Sequence, residues 1–122
     1  MPDSLFDAFG GKTAILAAVN SFYRRMLADE NLSKFFTAVD VEALRSRQSM
    51  FLTMLIGGPV SDSAQYIRNA HQGSRTLGLN DADFDAALIH FRAALEEVGV
   101  SPEPLERTMK LLEGTRSAVL GH

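Results

Sequence analysis

The chain has 122 residues, 46% hydrophobic and 22% charged, which reads as a single globular domain spanning 1–122 and excludes a disordered polymer. A formal net charge of −3 with no basic block argues against nucleic acid or an anionic membrane as partner. The absence of cysteine removes disulfides, thiolate nucleophiles and iron–sulfur clusters, and no apolar run approaches the ~20 residues of a membrane span.

Met1-Pro2-Asp3-Ser4 lacks the basic and apolar regions of a secretory leader, so a cytoplasmic location is expected. Ser4 to Phe9 reads as a short amphipathic start, broken by Gly10-Gly11. Lys12 to Ala28 follows, with Ile15, Val19, Phe22, Met26 and Leu27 at helical spacing. Asp29-Glu30-Asn31 turns the chain, and Leu32 to Phe36 reads as one tight turn with two aromatics. Asp40 caps the next helix, where Leu44, Gln48, Phe51 and Leu55 share a face until Gly57-Gly58-Pro59. Val60 to Gln65 is polar and irregular, and a short segment from Tyr66 carries His71 and ends near Gly73. Asn80 or Asp81 caps a long helix to about Val98, with Phe84, Leu88, Phe91 and Leu95 on one face. Gly99 stops it, and Ser101-Pro102 opens a last helix to about Leu120. Strand-like alternation is absent, so the fold class is all-α. Met26, Met50, Met54 and Met109 read as core filler.

His71 is the most informative residue. The chain has three histidines; His90 lies inside a helical run and His122 is terminal. One imidazole in an apolar helical protein can hold a haem iron from one side. A lone histidine is more often a surface or satisfied core group, and on this residue alone both readings stand. Tyr23 follows Phe22 in the middle of an apolar helix, Gln48 interrupts the stripe between Leu44 and Phe51, and a buried polar group without a partner costs about 1–3 kcal/mol. Together they could donate to a partly negative ligand, or simply bond one another. Phe35-Phe36 could pack a flat cofactor or serve as core. Arg45, Arg47 and Arg68 could meet cofactor carboxylates or form a solvated face. No phosphate-binding glycine loop, nucleophile elbow, paired-histidine zinc motif or glycosidase carboxylate pair is present.

The ordered set of motifs resembles the truncated haemoglobins of group I, the two-over-two globins, from about Ser4 to Val119. The parts are Leu5-Phe6-Asp7-Ala8-Phe9-Gly10-Gly11, Phe22-Tyr23-x-Arg25, Leu32-Ser33-Lys34-Phe35-Phe36 and Arg47-Gln48-x-x-Phe51. Gly57-Gly58-Pro59, Ala70-His71-Gln72-Gly73, Leu79-Asn80-x-x-x-Phe84 and Gly99-Val100 complete it. The resemblance implies a globin-like, truncated two-over-two helical sandwich around one haem b per chain. It implies that His71 is the iron ligand, that Tyr23 is the main donor to a bound gas and that Gln48 assists it. Phe36 matches the phenylalanine that wedges the haem. Leu44 stands where many globins place a distal histidine or glutamine. Arg47 stands where some members carry a histidine that closes on the iron, which arginine cannot do, so an open five-coordinate ferrous iron is expected. Phe51, Leu52, Met54, Leu55, Ile67, Leu77, Leu79, Phe84 and Leu88 are implied lining residues.

Two departures from the family stand out. The segment from Ser74 to Gly78 is longer than in some relatives. The last helix carries no histidine, so the covalent histidine–haem bond of certain cyanobacterial members is expected to be absent. The implied ligands are O2, CO and NO, and the implied activity is nitric oxide dioxygenation to nitrate with a separate reductase. An oxygen carrier or store, a gas or redox sensor, and a haem-free helical interaction module are the competing readings. A monomer or weak dimer is expected.

Overall fold

The structure, a computed structural model, describes residues 5–36, 40–57, 71, 75 and 78–121, apart from the side chains of Val41, Met54 and Leu55. The expectations for Asp3, Ser4, Gly58, Pro59, Ile67, Arg68, Leu77 and the 60–70 stretch lie outside the described residues, as do those for the Met54 and Leu55 side chains.

The described residues are helical, with no strand among them. Helix α1 is Leu5–Phe9 and α2 is Gly11–Ala28; a 3-10 turn covers Ser33–Phe36, and α3 is Val41–Gly57. Helix α4 is Asp81–Glu97, α5 is Pro102–Glu113 and α6 is Arg116–Leu120. Helix α2 lies against both α3 and α4, α4 against α5 and α6, and α1 against α2, α3 and α5. No helix among the described residues is long and apolar enough to cross a membrane.

The stripe Ile15, Ala18, Val19, Phe22, Met26 buries one face of α2 in the principal core. Leu27 does not join it and is exposed, because at ~100° per residue it falls well off that stripe. The chain leaves α2 through Asp29, whose carbonyl accepts from Leu32 N at 3.1 Å and Ser33 N at 2.9 Å. Asp40 starts α3 as expected, its Oδ1 accepting from Glu42 N at 3.0 Å and Ala43 N at 3.3 Å.

Helix α3 has two buried aspects of different character. Leu52 and Ile56 are deep in the core, while Leu44, Gln48 and Phe51, about a quarter-turn away, are half-buried. Met50 is 66% exposed and is not core filler, since it lies roughly opposite Leu52 around the helix. Met26 and Met109 are buried.

Helix α4 opens with a full capping box: Asn80 Oδ1 accepts from Asp83 N at 3.0 Å, and Asp83 Oδ2 from Asn80 N at 3.2 Å. It closes on Gly99 at φ 85°, with Val100 N donating to Leu95 O at 3.0 Å and Gly99 N to Glu96 O at 3.1 Å. That is the bond pair of a Schellman stop, and buried Val100 and Leu95 supply its apolar contact. The expected single last helix is instead two, interrupted at Gly114-Thr115. Thr115 turns back on Leu112 O, donating from N at 3.0 Å and from its hydroxyl at 2.6 Å.

Candidate functional site

Two apolar clusters frame the site. The principal core holds Phe22, Tyr23, Phe35, Leu52 and Phe91, with Phe36 and Leu44 packed on its margin. A second cluster joins Phe84 of α4 to Ala118, Val119 and Leu120 of α6, with Phe51, Leu79 and Leu88 on its margin. The sequence-derived residues therefore divide between two walls. Tyr23, Phe36 and Leu44 stand with the first, Phe51 and Phe84 with the second, and Leu79 packs against both.

The first wall is built around Tyr23, which is 6% exposed. Its ring meets Phe36 edge-on, centroids 5.7 Å apart at 88°, and Phe22 at 5.1 Å and 65°. Phe22 in turn meets Phe91 of α4 at 4.7 Å. Edge-to-face packing of this kind holds a ring in one orientation, so the Tyr23 hydroxyl has a defined direction. Helix α3 brings Gln48 half-buried between Leu44 and Phe51. Leu52 lies fully buried in the principal core, a quarter-turn round from that stripe. Arg47 is exposed, its Nε donating to Ala43 O at 3.4 Å. Arg45 pairs with Glu42 of its own helix at 2.6 Å, so that charge is answered locally.

His71 is half-buried, in a turn. Its carbonyl accepts from Arg75 N at 3.0 Å, a helical i to i+4 bond; the stop expected near Gly73 lies outside the described residues. Arg75 reaches across to α6 and donates from Nη1 to Val119 O at 3.2 Å. The histidine segment is thus anchored to the second cluster. Phe84 is capped from outside by the Arg116 guanidinium, 4.6 Å from its centroid.

Several groups in these walls escaped the sequence reading. Arg116 bonds Asp81, Asp85 and Glu113, which together hold its pKa above the ordinary arginine range, Glu113 most. Only Glu113, three residues away on the chain, could have been anticipated. Glu97 accepts from the Ser21 hydroxyl at 2.5 Å, Arg24 at 2.7 Å and Arg25 at 2.9 Å, which lowers its pKa to about 2. His90 Nε2 lies 2.8 Å from Asp29 Oδ2, and that hydrogen bond lowers the Asp29 pKa.

Those partnerships test what the site can hold. Among the described residues no group of three or more His, Asp or Glu could enclose a metal ion. His90 is engaged by a carboxylate, and His71 lies one helical turn before Arg75, which bonds Val119 of the second cluster. Aromatic and leucine side chains with one further imidazole, His71, suit a flat apolar macrocycle carrying an iron better than an ion bound by several protein donors.

Comparison with known proteins agrees. Residues 4–120 match the family model of the bacterial-like globins. A group 1 truncated haemoglobin of Tetrahymena pyriformis is 36% identical over 120 residues, covering 98% of this chain and 97% of the relative. The crystal structure of the Tetrahymena pyriformis protein in its Fe(III) form superposes with a TM-score of 0.84 at 35% identity, covering 98% of this chain and 100% of that one. The 2/2 haemoglobin of a Synechococcus, solved in the cyanomet state with covalently attached haem, gives a TM-score of 0.87 at 31% identity, over 98% and 100% of the two chains. An all-helical frame among the described residues, and these likenesses over nearly its whole length, place the chain in the bacterial-like globin family as a group 1 truncated haemoglobin, whose cofactor is haem with its iron.

Proposed function

We propose that this chain binds diatomic gases with His71 as the iron ligand and Tyr23 as the principal donor to the gas, and that it supports nitric oxide dioxygenation. His71 would hold the haem, whose iron, when bound, would supply the site for a diatomic gas. The observation that carries the reading is Tyr23: a buried phenol held edge-on between Phe22 and Phe36 at the principal core. A preset donor in a dry site stabilises developing negative charge more than the same donor in water. Gln48, half-buried on α3, supplies a second donor, while Leu44 offers none. In the Tetrahymena pyriformis relative, variants of one tyrosine and two glutamines have been solved. That tyrosine and one of those glutamines stand at the same separation along the chain as Tyr23 and Gln48.

Phe36, Leu44, Phe51, Leu79 and Phe84 are the lining groups the two walls provide; Leu52, behind them, stiffens the first wall. Leu55, Ile67 and Leu77 belong to the same assignment by resemblance. Arg47, exposed and turned toward its own helix, leaves the gas side open, which supports a five-coordinate ferrous state. Oxygen and nitric oxide combine to nitrate with one electron from a separate reductase, and the role of Tyr23 and Gln48 is to retain oxygen until nitric oxide arrives.

The decisive experiment is the oxygen dissociation rate of Tyr23→Phe. Loss of one net hydrogen bond corresponds to about 1 kcal/mol, hence a rise of about fivefold or more. An unchanged rate removes Tyr23 from the role. Sustained nitric oxide consumption with an added reductase distinguishes turnover from storage, and loss of the haem absorption band in His71→Ala tests the ligand.

A further inference from the structure

We propose that His90, outside the gas site, is a positioning residue for Tyr23: it fixes the exit of α2 and so holds Phe36 against the Tyr23 ring. The functional consequence rests on the reading of Tyr23 as donor to the gas.

The chain of contacts is continuous. His90 sits in the middle of α4, partly buried, with Nε2 2.8 Å from Asp29 Oδ2. Asp29 is the residue at which α2 ends, and its groups are all engaged. Its N–H donates to Met26 O at 3.2 Å, and its other carboxylate oxygen accepts from Asn31 N at 2.9 Å. Its carbonyl accepts from Leu32 and Ser33, and Leu32 O then accepts from Phe35 N at 3.1 Å. The direction set at Asp29 therefore passes through its bonds to Asn31, Leu32 and Ser33 into the 3-10 turn that ends at Phe36. Phe36 meets Tyr23 edge-on at 5.7 Å.

The next residue of α4 holds the other flank. Phe91 packs on Phe22, and Phe22 on Tyr23. Adjacent residues of one helix thus brace Tyr23 from two sides, one by a directional bond and one by ring packing. The association of α2 with α4 does not need His90, since Phe91, Ala94 and Leu95 already bury that contact. What His90 adds to the local bond from Asn31 is a tie from the Asp29 carboxylate to α4. The lowered Asp29 pKa, owed first to this hydrogen bond, agrees with a bond held in place.

The test uses the haem-loaded protein and the variants His90→Leu, His90→Gln and Asp29→Asn. His90→Leu cannot donate to Asp29; His90→Gln can, through its amide. Two readouts are taken: the nuclear Overhauser contact between Tyr23 and Phe36 ring protons, and the oxygen dissociation rate beside Tyr23→Phe. The expected result is loss of the ring contact in His90→Leu, with dissociation faster by about threefold, the scale of a weakened hydrogen bond. His90→Gln should restore both. Should His90→Leu fold poorly, Asp29→Asn, which keeps an acceptor for Asn31 N but loses the charge that strengthens the bond to His90, is expected to weaken the ring contact and speed dissociation in parallel. An intact Tyr23–Phe36 contact in His90→Leu or Asp29→Asn overturns the proposal. If Tyr23→Phe leaves dissociation unchanged, the donor reading falls, and the ring contact still decides the positioning role.

Discussion

The Arg75 side chain lies so closely over Gly121 that a Cβ there would come within 2.9 Å of both its Cδ and its Nε. Gly121 adopts φ 78°, a left-handed conformation that costs a side-chain-bearing residue roughly 1–2 kcal/mol. The close approach lets Arg75 reach Val119 O while its own N–H holds the His71 carbonyl. Gly121→Ala should push Arg75 aside and loosen the histidine segment. The expected results are a stability loss on the order of 1–2 kcal/mol in urea titration and faster haem transfer to a scavenging apoglobin. Arg75→Ala should do the same, and the double variant should be no worse than the sum, because both changes break one clasp.

The Glu97 cluster predicts an acid limb in stability. Ser21, then Arg24 and Arg25, lower this carboxyl from 4.5 to about 2. A carboxyl with a depressed folded-state pKa stabilises fully above its unfolded value and loses that contribution as pH falls toward the folded value. The advantage of the native chain over Glu97→Gln should therefore be constant above about pH 5 and shrink as pH falls toward 2. Because Glu97 is well exposed, the difference should also diminish in added salt. Urea midpoints of both proteins across pH measure it; parallel curves would remove the network from the acid response.

The two aspects of α3 should separate in mutagenesis. Leu52 has no exposed surface, and Leu52→Ala removes buried methyl groups from the principal core at a cost of about 2–5 kcal/mol. That loss should be equal with and without haem. Phe51 is half-buried at the margin of the second cluster, so Phe51→Ala should cost the haem-free protein less. Its larger effect should be on haem retention. Calorimetric Tm values of both variants, loaded and unloaded, test the division.

What the sequence disclosed and what it withheld follows the range of each interaction. Asp40, the Asn80–Asp83 box and the Gly99 stop are local signals, and each forms the cap its residue type suggests. Tyr23 was legible as a polar group following Phe22 in the middle of an apolar helix. The break at Gly114-Thr115 was not, because Thr108, Met109 and Leu112 keep a helical rhythm that Val119 continues. There Thr115 recaptures Leu112 O, and Arg116 is drawn to Asp81 and Asp85, partners more than thirty residues away. His90 was read only as part of a helical run, because its partner, Asp29, is remote in sequence. Periodicity finds which face is buried; it cannot find which distant charge completes a site.

Asn80 joins stability to the site most directly. Its side chain accepts from Asp83 N, and its carbonyl from Phe84 N at 3.0 Å, so the cap fixes the turn that presents Phe84. Leu79, just before it, packs on the same second cluster. Asn80→Ala removes the acceptor and should cost about 1 kcal/mol, while Asn80→Asp should cost little and Asn80→Gly only a few tenths. At this chain length the alanine variant should melt about 4 °C lower. The fraying should be local: amide exchange of Asp83 and Phe84 should accelerate in Asn80→Ala while that of Phe91 and Leu95 changes only by the global amount. Uniform acceleration along α4 would mean that the cap holds the whole helix rather than the Phe84 turn.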